Sequence, residues 1–170
     1  MSGERYFGKH RGVVVNNIDP EKKGRIQAIV PSIEGFVPTS WAMPCLPSAG
    51  MQAGLYTVPP LQAGVWIEFE AGDIDKPIWS GCFYALAAEV PVLAAPAVGP
   101  LGCLILQTMG QTTLMVSDVP GPTGGILLKT KTGAMIAINE TGITISNGQG
   151  ATVMMTGPTV SINAGALTIT

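Results

Sequence analysis

From Gly133 onward a glycine recurs near every eighth residue, at Gly133, Gly142, Gly150, Gly157 and Gly165. Between these glycines stand pairs of large apolar residues two positions apart: Ile136/Ile138, Ile143/Ile145, Val153/Met155, Val160/Ile162 and Leu167/Ile169. On a strand, residues i and i+2 share a face. The pattern therefore predicts strands of about five residues, apolar on one side only, joined by turns of roughly one to three residues. Thr144, Ser146, Thr159, Ser161, Asn163 and Thr168 stand between and beside the pairs and suit an uncharged outer surface.

A ribbon of this kind cannot bury its apolar side alone. A single-chain β-solenoid needs roughly 20 or more residues per coil and at least about three coils, more than this stretch supplies. Three identical chains wound about one axis meet the need, each contributing one face of a triangular prism. The ten paired residues are then the expected trimer core, and hydrogen bonds between chains are expected at every level. Strands about 4.8 Å apart give a stiff rod on the order of 30 Å long. The sequence ends inside the pattern, so Leu167, Thr168, Ile169 and Thr170 are expected to meet a separate cap protein, because an uncapped β end is adhesive.

Composition agrees with this division. The chain has 170 residues, 46% hydrophobic and only 12% charged, with 22 Gly and 14 Pro, against about 25% charged in an ordinary soluble domain. Residues 1–80 hold 7 Lys/Arg and 8 Asp/Glu, whereas residues 81–170 hold 2 and 3. A formal charge of −2 and no basic stripe argue against a nucleic-acid partner. The start lacks the apolar core of a secretory signal, and Ala85 to Pro100 is broken by Glu89 and prolines. That stretch reads as an extended, semi-rigid linker. Cys45, Cys82 and Cys103 have no metal-type spacing and read as buried thiols.

In the first 84 residues, short β-rich runs alternate with turn residues, near 12–18, 25–30, 40–46, 54–58, 64–70 and 78–84, without an amphipathic helical window. Five or six short strands in this span predict a small closed or partly closed barrel. In Val65-Trp66-Ile67-Glu68-Phe69-Glu70, period two puts Val65, Ile67 and Phe69 on the core face and Trp66 outward, toward an expected interface. The predicted organisation is thus a barrel over 1–84, a linker over 85–100 and a needle over 101–170.

An ordered set of residues runs through the barrel segment: Asp19-Pro20, Gly24-Arg25, Trp41, Pro44, Gly50, Pro59, Gly64, Trp66, Glu68, Phe69, Gly72, Asp73, Pro77, Trp79 and Gly81. In this order it resembles the oligonucleotide/oligosaccharide-binding (OB) barrel of the phage baseplate assembly protein V family, related to the spike part of type VI valine-glycine-repeat proteins. The resemblance implies a homotrimeric all-β protein, an OB collar followed by a triple-stranded intertwined β-helix. It implies a mechanical role as puncturing tip and tube plug of a contractile injection apparatus, below a separate hub protein and behind a cap with Pro-Ala-Ala-Arg repeats. It also implies a transient target membrane and assembly in the producing cell's cytoplasm, as part of a phage tail or phage-like particle. The alternative role is a trimeric baseplate adaptor or fibre base that pierces nothing, and a weaker rival is a sugar- or nucleic-acid-binding OB protein.

Chemistry is not expected. Residues 85–100 leave no room for the lysozyme domain of some relatives, and His10, before the expected barrel, is the only histidine, so the His-x-His iron tip of others is missing. Glu68, Glu70, Asp73 and Asp75 read as an exposed strand face and polar turn rather than a carboxylate pair. Trp41, Trp66, Trp79, Tyr56 and Phe83 read as packing residues, since a base-stacking platform comes with a positive groove. Arg25 reads as a salt-bridge partner. No catalytic residue, metal or cofactor is assigned.

Overall fold

A computed structural model describes residues 4–33, 35–97, 99 and 101–169. The chain forms two compact units, residues 1–89 and 90–170, so the break falls inside the stretch read as linker.

In the first unit the strands are β1 (His10–Asn16), β2 (Gln27–Ile29), β3 (Met43–Pro44), β4 (Ala49–Gly50), β5 (Ala53–Gly54), β6 (Gly64–Phe69) and β7 (Pro77–Phe83). The main sheet runs β2-β1-β6-β7-β3. Bridges Ile26↔Ala42 and Ile29↔Pro38 return the chain before β3 to the β2 side and close the sheet on itself. Closure removes the sheet edges that would otherwise seek partners. Val65, Ile67 and Phe69 point inward with Val14, Ile26, Ala28, Val30, Ala42 and Trp79. The run expected near 54–58 is only the end of the small β4–β5 hairpin.

Three expectations are corrected here. Cys45 and Cys82 are exposed and Cys103 is half-buried. Cys82 sits opposite buried Val65, one residue before the end of β7, and partial desolvation pushes its thiol pKa up. His10 is the first residue of β1, paired with Ile67 and packed edge-on to Phe69 at 5.8 Å, so it belongs to the barrel. Within 85–97 the chain is not extended but makes two 3-10 turns, Ala87–Glu89 and Val92–Ala94. Pro91 precedes the second, where its fixed φ is compatible with a helical start and its missing N–H costs nothing.

The second unit is one eight-stranded antiparallel meander: β8 (Cys103–Gln107), β9 (Thr113–Ser117), β10 (Gly125–Lys129), β11 (Met135–Asn139), β12 (Gly142–Ser146), β13 (Thr152–Thr156), β14 (Thr159–Ile162) and β15 (Leu167–Ile169). The sheet order is the chain order, β15 back to β8. Every neighbour in this ladder is therefore a strand of the same chain, which corrects the expected inter-chain hydrogen bonding at each level. Two-residue turns at 140–141 and 157–158 alternate with longer ones at 130–134, 147–151 and 163–166. The longer turns exceed the expected length, and Asn side chains brace them: Asn147 Oδ1 accepts the N–H groups of Gln149 at 2.9 Å and Ala151 at 3.0 Å. Gly142 enters β12 at φ +139, and a Cβ there would strike the Met155 carbonyl. No helix among the described residues is long and apolar enough to cross a membrane.

Candidate functional site

The register of the meander aligns its apolar pairs into two rows on one face. One row runs Leu104, Val116, Ile126, Ile138, Ile143, Met155, Val160 and Ile169, each directly opposite the next. The other runs Leu106, Leu114, Leu128, Ile136, Ile145, Val153, Ile162 and Leu167. All ten residues expected in the trimer core lie in these rows, brought together by backbone pairing.

Six further members, on β8, β9 and β10, were not among them. In those strands the residue between each pair is also apolar: Ile105, Met115 and Leu127. The alternation that marks β11 to β15 is hidden there. On the reverse face the central row begins with these three and continues as Ala137, Thr144, Met154, Ser161 and Thr168. Apart from Met154 it changes from apolar to small and polar along the stack, and Met115 in it is 2% exposed.

Eleven residues of the paired rows are between 38% and 58% exposed in the single chain. An apolar face this continuous and this open on a lone chain marks an interaction surface. Of the expected tip residues, Leu167 is half exposed, Thr168 and Ile169 continue the register on β15, and Thr170 lies outside the described residues.

In the barrel, the residues that carry the resemblance form its braces. Asp19 and Pro20 open a loop that closes at Gly24, φ +79, where a Cβ would touch Tyr56, Val58 and Pro44. Asp19 Oδ1 accepts from Arg25 Nη2 at 2.7 Å and Nε at 3.1 Å, and Asp19 Oδ2 accepts the Lys23 N–H at 2.7 Å. Arg25 also pairs with Glu21 at 3.0 Å and lies 5.5 Å from the Trp41 ring centroid. Trp79 Nε1 donates to the Gly24 carbonyl at 3.0 Å. Pro59 O accepts from Asn17 at 3.0 Å.

Gly64 leaves room for the Phe83 ring, which a Cβ would meet at 2.7 Å, and Gly72 at φ +78 sits against Arg5 and Phe7. Pro44 and Gly50 belong to β3 and β4, and buried Pro77 begins β7. On the outer face, Trp66 packs on Phe83 at 5.0 Å, with Arg11 at 5.5 Å from the Trp66 ring and 5.3 Å from the Phe83 ring. Gly81, opposite Trp66, opens space for that ring. Glu68 pairs with Lys9 at 3.2 Å and Asp73 with Lys76 at 3.8 Å. No group of three or more metal-ligating side chains converges among the described residues. The three tryptophans stand in three places, buried core, outer wall and beneath Arg25, not on one platform.

The Arg25 hydrogen bond, followed by N–H donations from Glu21, Lys23 and Arg25, holds the Asp19 carboxyl far below the usual carboxylate range despite desolvation. A lowered folded-state pKa stabilises the fold fully above the unfolded value, about pH 4, and that contribution fades as pH falls through the folded value. Asp19→Asn should therefore lower the melting temperature of the barrel at neutral pH. The gap to wild type should close progressively below about pH 4 in a pH series of thermal melts.

Residues 10–84 match the type VI secretion system/phage-baseplate injector OB domain, and residues 103–168 match the phage baseplate V C-terminal trimerisation domain. No individual curated protein matches the chain. The closed five-stranded barrel answers to the first of these domains and the meander with its open apolar face to the second. In that order along one chain, they make this protein a member of the phage baseplate V family, a structural component of an injection baseplate that assembles as a homotrimer.

Proposed function

We propose that three copies of this chain form the central spike of a contractile injection apparatus, in a phage tail or a phage-like particle or secretion system. The observation that carries this reading is the pair of unbroken apolar rows spanning β8 to β15. Three such faces close on one another as a triangular prism, and the right-handed twist of each sheet winds them into a triple β-helix. Eight levels at about 4.8 Å make a rod on the order of 35 Å long. Hydrogen bonds along each sheet and a dry core across the three sheets resist axial load.

The work is mechanical and needs no catalytic group: sheath contraction drives the tube, with this spike at its front as puncturing tip and plug. The three OB barrels form a collar beneath a separate hub protein. The open edge of β15 is the seat of a cap with Pro-Ala-Ala-Arg repeats, since edge N–H and C=O groups take a strand partner. The partners beyond itself are thus hub, cap and, in passing, a target membrane, with no nucleic acid. The near-neutral shaft suits passage through lipid, where each inserted charge is costly.

A non-piercing adaptor would share the trimer but not the need for its far end. Particles whose spike is cut after residue 150 keep the rows of β8 to β12. They should assemble, decorate at the baseplate end with an antibody to this chain, and lose delivery into target cells by at least about tenfold. Unimpaired delivery would favour the adaptor.

A further inference from the structure

Residues 101–170 contain only four charged side chains, Asp118, Lys129, Lys131 and Glu140, and the meander sorts them by sign. Because consecutive strands are antiparallel, turns alternate between the two lateral edges of the sheet. Asp118 follows β9 and Glu140 follows β11, so both stand on one edge. Lys129 ends β10 and Lys131 lies in the turn after it, on the other edge. All four are exposed, and none has an ion-pair partner among the described residues of its own chain. The acidic edge is preorganised: Glu140 Oε2 accepts the Gly121 N–H at 2.7 Å, and Asn139 Nδ2 donates to the Pro122 carbonyl at 3.2 Å. These bonds tie the two acidic turns together.

The four also share a height. The lysine turn joins β10 to β11, between the Asp118 turn at β9–β10 and the Glu140 turn at β11–β12. Each carboxylate is about one strand spacing, ~4.8 Å, above or below the lysines, within reach of a flexible four-carbon stem.

In a cyclic trimer every contact is heterologous, so the left edge of one sheet faces the right edge of the next at the same height. We infer that Lys129 and Lys131 of one chain pair with Asp118 and Glu140 of a second copy, forming a belt of ion pairs around the spike that fixes orientation and axial register. The inference rests on the trimeric spike reading above. The apolar rows alone specify neither property, because Ile, Val, Leu and Met are interchangeable from level to level. Turning one chain end for end would set lysines against lysines, and sliding it by two strands would separate the charges by about 10 Å. The belt acts against these alternatives.

Zero-length carbodiimide coupling of the intact protein tests this, since it joins a lysine amine to a carboxylate only at ion-pair distance, forming an amide. Within one chain the two edges are separated by a five-residue strand, about 17 Å, so links among these four residues arise between chains. The Lys9–Glu68 pair, at 3.2 Å, is the internal control. Peptide mass spectrometry on a sample shown to be trimeric by light scattering should find the control amide and Lys129 or Lys131 joined to Asp118 or Glu140. In parallel, Lys129→Glu/Lys131→Glu should lower the trimer's dissociation midpoint, and the gap to wild type should close at about 1 M salt, where the Debye length is about 3 Å. A trimeric sample that yields the control amide without the others, or a gap that ignores salt, overturns the belt and leaves the spike standing. A monomeric sample overturns both.

Discussion

Ile143→Asp/Ile145→Asp should abolish the trimer: light scattering should then find single chains of 17.6 kDa, or aggregate, in place of a particle of roughly three times that mass. The two residues are neighbours on β12, each in one of the apolar rows, with Ile143 facing Ile138 and Met155 and Ile145 facing Ile136 and Val153. On the proposed packing of the paired rows, aspartates there place two carboxylates per chain, six per trimer, into a shared apolar core. Each uncompensated buried charge costs several kcal/mol, so the sum exceeds the 5–15 kcal/mol that typically holds a folded domain together. Thr144, between them, points to the opposite side in the row of Ala137 and Met154. Thr144→Asp should therefore leave the mass of the trimer unchanged. A trimeric double variant, or a Thr144→Asp that dissociates, would mean the inner and outer faces have been exchanged.

The contrast between these neighbouring positions shows why the far half of the meander was legible in the sequence. From β11 onward one side is Ile, Val, Met and Leu and the other mainly Ala, Thr and Ser, so period two is visible without a structure. Over β8 to β10 both sides are apolar, and only the register shows which residues continue the rows. The identity of the hydrogen-bonding neighbours was also out of reach, because a repeat of short one-sided strands fits chains that exchange strands as well as chains that keep them. Antiparallel pairing with two-residue turns at 140–141 and 157–158 decides for the second.

In the barrel, the alternation of Val65 to Phe69 gave one wall, but the bulge opposite Trp66 and Ile67 did not show in the sequence. That bulge shifts the register between Trp79 and Gly81, so Trp79 faces the core while Gly81 leaves the outer surface open for Trp66. Charge sorting along the edges of the meander likewise depends on which turns share a side, a property of topology and not of spacing. Burial tendency likewise speaks of residue types and not of places: Cys82 and Cys103 are paired within β7 and β8 yet lie exposed and half-buried, while His10 joins the barrel through its pairing with Ile67.

Trp79→Ala should produce the largest loss of barrel stability available from one side chain. Trp79 is 4% exposed and packs within the core cluster with Ile26, Val65 and Ile67. It also bridges two parts of the fold, since its indole N–H reaches the Gly24 carbonyl at the end of the Asp19 loop. Truncation removes the ring and leaves a cavity, costing about 3–5 kcal/mol. In a unit of this size that lowers the unfolding midpoint by more than about 10 °C. Trp79→Phe keeps most of the ring volume but strands the Gly24 carbonyl, costing about 1–3 kcal/mol. The order wild type, Phe, Ala should hold in calorimetry or in the fluorescence of Trp41 and Trp66. Because the core cluster around Trp79 lies wholly within the first unit, the Ala variant should unfold its barrel early while the meander still holds the mass of a trimer. Loss of trimer at the barrel's lowered midpoint would show that the barrels, and not the paired apolar rows, hold the three chains together.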